Sequence, residues 1–105
     1  MKDNIHNKTV RWTFSDGPTA GKTFEHDFAV DGSVRFRTAG DKWSDKQHYE
    51  VAQISDDVLA VSYLAAGWTL TSILDFRTHA VTAFASNDKQ LVVQHGTFET
   101  LRAAA

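Results

Sequence analysis

Apolar and polar residues alternate through this chain from near its start to near its end. Half-buried β-strands satisfy that period of two, and helices do not. Val10, Trp12 and Phe14 alternate with Arg11 and Thr13. Phe24, His26, Phe28 and Val30 share one face of a second run, with Glu25 and Asp27 on the other, and Val34, Phe36 and Thr38 oppose Arg35 and Arg37 in a third. No window of helical length shows a 3.6-residue repeat, and β-branched and aromatic residues crowd the runs.

Turn-forming residues punctuate the pattern. Ser15-Asp16-Gly17-Pro18 ends the first run, and Asp31-Gly32 supplies a hairpin, because glycine accepts the positive φ that such turns require. Further strands are expected over 47–54, 58–64, 68–76, 80–86 and 90–101, separated by Ser55-Asp56-Asp57, Ala65-Ala66-Gly67, Arg77-Thr78-His79 and Asn87-Asp88-Lys89. Turn signals recurring every ~8–12 residues belong to sandwiches and barrels. Short links favour sequential antiparallel pairing, and closing the sheet removes its edges. The expected architecture is all-β: one domain over residues 1–105, an eight-stranded antiparallel up-and-down barrel of the lipocalin (calycin) kind, with tails at 1–8 and 102–105. A flat sandwich is the alternative, and a short helix is the alternative for the last four residues.

Composition removes several function classes. Eleven basic and thirteen acidic residues leave a net charge of −2, so no basic stripe exists to bind nucleic acid by displacing counterions. There are no cysteines, which removes disulfide frameworks, thiolate metal sites and cysteine nucleophiles. No apolar run approaches the ~18 residues of a membrane helix, and the polar start of the chain has no apolar leader segment. A soluble cytoplasmic protein without a membrane or nucleic-acid partner is the expectation.

Few motifs carry chemistry. Gly17-Pro18-Thr19-Ala20-Gly21-Lys22-Thr23 is one residue short between its glycines for a phosphate-binding loop, and a strand pattern rather than a helix follows it. Five histidines (His6, His26, His48, His79, His95) lack the close helical spacing of a metal pair, so no metal is assigned, although a barrel could gather His26, His48 and His95. His6 and His79 read as solvated. His26 lies in register with Phe24 and Phe28 and should point inward, either as a hydrogen-bonded core residue or as a ligand-contacting group or general base. Most carboxylates sit in turns; Glu50 and Glu99 lie within strands. Tyr49, Tyr63, Trp43 and Trp68 are candidates for an aromatic cavity or for ordinary packing. Which face of the 47–54 strand is interior is left open.

The segments Gly21-Lys22-Thr23-Phe24-Glu25-His26-Asp27-Phe28, Tyr49-Glu50-Val51-Ala52, Val61-Ser62-Tyr63-Leu64 and Phe84-Ala85-Ser86-Asn87-Asp88 resemble the MoaF-like family in order and spacing. That resemblance implies a lipocalin-like barrel. More distantly, Gly40-Asp41-Lys42-Trp43 followed by the 49–54 segment, and Val61-Ser62-Tyr63 before Gly67, resemble bacterial phenolic acid decarboxylases, which bind a hydroxycinnamate inside a barrel and need no cofactor. The resemblance places that family's two tyrosines on His26 and Phe28, its arginine on Lys42 and its glutamate near Ala65. Phe28 cannot donate a hydrogen bond and Ala65 cannot take a proton. Losing a proton-transfer group alone costs ~10²–10⁴ in rate, so the activity is not carried over.

The resulting expectation is a barrel that binds a small apolar or aromatic, anionic molecule in its interior, without a cofactor. Ligand contacts are assigned to His26, Phe28, Phe36, Lys42, Val61 and Tyr63. The alternatives are a cofactor-free lyase or isomerase with His26 as base and Lys42 as electrostatic stabiliser, and a non-catalytic subunit with a filled barrel. A homodimer through Trp43 or outward apolar residues is a further expectation.

Overall fold

The computed structural model describes residues 5–103; expectations for residues 1–4 and 104–105 lie outside the described residues. The strands are β1 (Lys8–Phe14), β2 (Thr23–Phe28), β3 (Ser33–Thr38), β4 (Gln47–Gln53), β5 (Val58–Ala65), β6 (Trp68–Asp75), β7 (Ala80–Ser86) and β8 (Leu91–Ala103). Each pairs antiparallel with the next, and β8 returns to β1, closing an eight-stranded up-and-down barrel. No described helix is long and apolar enough to cross a membrane.

Both ends of the chain depart from the sequence reading. β8 does not stop near Leu101. It continues to Ala103 because β1 offers it a ladder down to the Lys8–Ala103 pair, with a bulge between Lys8 and Val10. Residues 102–103 are therefore strand, neither tail nor helix. At the other terminus Ile5, assigned to the N-terminal tail, is fully buried in the core. The chain reaches it through Asn7, whose positive φ of 64° turns the backbone and whose N–H donates to the Phe28 carbonyl at 2.6 Å. His6 is drawn in with it and rests against the Tyr49 ring.

Alternation sorts the side chains as barrel geometry demands. One end of the lumen is solid: Ile5, Val10, Phe28, Val34, Leu59, Val61, Leu74 and Val81 are all essentially inaccessible. Tyr49 is buried too, so the interior face of β4 is the one carrying Tyr49 and Val51. Where β8 crosses β1, Gly96 faces Phe14, and a Cβ there would collide with the Thr13 carbonyl. Only glycine allows that approach.

The seam between β3 and β4 is the thin one. Its ladder consists of Ser33 opposite His48 and Val34 opposite Gln47. Beyond it, Ser44 of the connecting loop takes over the β3 edge. Its N–H donates to the Phe36 carbonyl (2.8 Å) and its hydroxyl accepts from the Phe36 N–H (3.0 Å). The neighbouring Trp43 lies on the outer wall beneath two guanidiniums, Arg37 at 4.2 Å and Arg35 at 4.8 Å from its ring centre. Those arginines bind Glu25 and Asp27 on β2, and Arg11 on β1 joins Glu25 to Glu99 on β8. The paired guanidiniums hold the Glu25 carboxyl below its usual range, Arg11 contributing first and Arg37 next.

Candidate functional site: an aromatic cavity with a buried imidazole–phenol pair

The other end of the lumen is hollow, with a cavity of about 300 Å³. Side-chain size explains the asymmetry. β6 and β7 turn Ser72, Ala83 and Ala85 inward at this level, and they stand opposite the large rings of Trp12, Phe24 and Phe36 from β1 to β3. Small residues on one wall leave a gap that the rings on the other cannot fill. Ligand pockets run from ~300 to 1,000 Å³, and an apolar cavity of ~150 Å³ already takes up benzene. This volume suits a guest of one or two rings.

The rim is held shut on one side. Pro18 and Thr19 of the β1–β2 loop border the cavity, and Gln94 on β8 accepts hydrogen bonds from the Thr19 N–H and hydroxyl, both at 2.8 Å. Asp16 ties the same loop to β8 through the His95 N–H at 2.6 Å and the His95 ring at 2.9 Å, and these bonds lower the Asp16 pKa.

His26 is the polar centre of the wall. It sits on β2 between Val10 on β1 and Phe36 on β3. Its ring stacks on Trp12 with centres 3.7 Å apart, and its Nε2 lies 2.7 Å from the Tyr63 hydroxyl. Tyr63 comes from β5, so this bond crosses the lumen rather than following the sheet. It braces the barrel behind the thin β3–β4 seam. Nδ1 of His26 is buried without a hydrogen-bonding partner. Burial pushes the imidazole down to about 3 and raises the Tyr63 phenol above its ordinary value, so at neutral pH both groups are uncharged.

Of the six assigned ligand contacts, His26, Phe36 and Tyr63 stand on the cavity wall. Phe28 and Val61 do not: both are inward but lie in the solid end, Phe28 packed edge-on against Tyr49. Lys42 is corrected outright. It is exposed in the β3–β4 loop, which is bound to the outside of the barrel, so its ammonium remains in water. Trp43, a candidate for the cavity or for ordinary packing, lies on the outer wall beneath the arginines and does not line the cavity. Trp68, a candidate for an aromatic cavity, does line the wall; Trp12 and Ser72 line it without having been expected there, although the inward register of Trp12 with Val10 was a usable signal.

The histidines diverge. His48 pairs with Glu50 on the exposed face of β4, and His95 with Asp16 on the exposed face of β8, so neither meets His26. No group of three metal-ligating side chains forms among the described residues. Glu50 and Glu99 both face outward, Glu99 in an ion pair with Arg11 and Glu50 against the His48 ring.

No protein-family model matches this chain, and no curated protein matches it. Among solved structures it is similar to a crystal structure from Burkholderia vietnamiensis, provisionally named a beta-lactamase. The TM-score is 0.77 at 16% identity, covering 96% of this chain and 99% of the other. At that identity the likeness is one of fold.

Proposed function

We propose that this barrel binds a small, uncharged, apolar or aromatic molecule in its hollow end, as a lipocalin-like carrier of MoaF-like type. The observation that carries the reading is the cavity of about 300 Å³, walled by aromatic rings around one hydrogen-bonded imidazole–phenol pair. The expected preference for anions loses its support. It rested on Lys42, which lies outside, and no lysine or arginine lines the cavity among the described residues. A carboxylate entering this wall would be desolvated with no counter-charge, at a cost of several kcal/mol.

The lyase reading weakens for the same reason. A general base works best with a pKa near the operating pH, and His26 is held at about 3. Beta-lactam hydrolysis, suggested only by the neighbour's name, would need an activated hydroxyl. The wall offers the hydroxyls of Ser72, Thr19 and Tyr63, but Thr19 is spent on Gln94, the imidazole beside Tyr63 is held at about 3, and no lysine stands on the wall to serve as base.

Titration with neutral one- and two-ring aromatics, followed by tryptophan fluorescence, tests the reading, since Trp12 and Trp68 line the cavity. Saturable quenching is expected, lost in Ala83→Phe, which fills the space, and unchanged in Lys42→Ala. Equal quenching in wild type and Ala83→Phe would place the binding elsewhere and defeat the proposal.

A further inference from the structure

The hydrogen-bond accounting at His26 decides what kind of group a guest must bring. Nε2 and the Tyr63 oxygen are 2.7 Å apart, so one of them donates to the other. Nδ1 has no partner and is surrounded by the Trp12, Phe28 and Phe36 rings. A neutral imidazole carries one ring proton. If that proton sat on Nδ1, a strong N–H donor would be stranded in an apolar enclosure, which native structures almost never tolerate. With the proton on Nε2, Nδ1 keeps only a bare lone pair, the milder deficit. Nε2–H then donates to the Tyr63 oxygen.

The consequence falls on Tyr63. Its oxygen accepts from His26, so its own hydrogen has no use in that bond and must find another acceptor. Among the described residues no second partner of this hydroxyl is present, and Tyr63 stands on the cavity wall. We infer that Tyr63 presents its phenolic hydrogen to the cavity and selects, among apolar guests, those carrying one neutral hydrogen-bond acceptor such as a ketone, aldehyde or amide carbonyl. His26 acts as the positioning residue that fixes which way the phenol donates. The inference rests on the interior-binding reading above and adds the guest's polar group to it.

A matched pair of probes separates the two. Acetophenone and α-methylstyrene have nearly the same shape and differ in C=O against C=CH₂. One net hydrogen bond predicts that acetophenone binds about three- to tenfold more tightly to the wild type. In Tyr63→Phe the two should bind alike. Equal binding of both to the wild type would overturn the selection by Tyr63 while leaving interior binding intact; binding of neither would remove both. Because Tyr63→Phe could disturb folding, the tautomer is read independently in the wild type. Two-bond ¹H–¹⁵N correlation spectra of the imidazole should show Nε2 protonated and Nδ1 bare. A proton on Nδ1 would overturn the inference whatever the probes do.

Discussion

At the scale of single residues, the chemistry of this protein is concentrated in one imidazole that the fold keeps neutral. An unfolded histidine takes up a proton below a pH of about 6.5, whereas His26 in the barrel resists protonation down to about 3. Between those values the unfolded chain holds the extra proton, so acid favours unfolding and stability falls as the pH drops through that window. The slope from this one group approaches about 1.4 kcal/mol per pH unit. Urea unfolding of wild type and His26→Gln at pH 6.5 and pH 5 should isolate it. The wild type is expected to lose about 1.5 kcal/mol more than the variant over that interval. Identical losses would show that His26 is already solvated. The exposed pairs His48–Glu50 and His95–Asp16 are present in both proteins, so their contribution cancels in the comparison.

At the scale of elements, turns and crossings set the register. β5 and β6 join through Ala66-Gly67, with φ of 52° and 84°, so two residues both sit in the left-handed region. That is the primed hairpin geometry, and alanine strains against it where asparagine does not. Ala66→Asn is expected to raise stability by up to about 1 kcal/mol, seen as a higher urea midpoint with an unchanged slope. The opposite sign is expected at the β1–β8 crossing. Gly96→Ala must push apart two paired backbones, because the added Cβ meets the Thr13 carbonyl. A loss of about 2–3 kcal/mol should follow, and a thermal midpoint equal to wild type would mean the crossing is looser than described. Neither effect depends on a ligand.

At the scale of the whole molecule, one barrel has two interiors. The same substitution should therefore cost different amounts at its two ends. Phe28 is fully enclosed in the solid end, and Phe28→Ala is expected to cost about 3–5 kcal/mol. Phe36 already borders empty space and is only partly buried, so Phe36→Ala should cost less than half as much, since fewer packed neighbours are lost. Denaturant unfolding of the two variants side by side checks this, and equal costs would contradict a hollow end. The outer wall is divided as well. The arginine–carboxylate ladder covers β1 to β3, while Leu64, Phe84, Leu91 and Val93 leave apolar surface on β5, β7 and β8.

Strand number, strand order and the inward face of β1, β2 and β3 were legible in the chain itself. A side-chain period of two and turn residues at regular spacing are local properties; closure, with a sandwich as the alternative, is decided by the pairing of β8 with β1. Short-range pattern also placed His26 inside, because Phe24 and Phe28 share its face. The cavity contents were not legible. That Ser72, Ala83 and Ala85 face the Trp12 and Phe36 rings is a relation between strands far apart in the chain, fixed by how the closed sheet staggers. Position in a motif put Lys42 inside, yet its loop folds outward because Trp43 is captured by arginines from β3 and Ser44 satisfies the free β3 edge. The bond from His26 to Tyr63 spans 37 residues of sequence and crosses the lumen, so no local pattern encodes it. Alternation decides which side of a ribbon a residue occupies; only the closed barrel decides what it meets there.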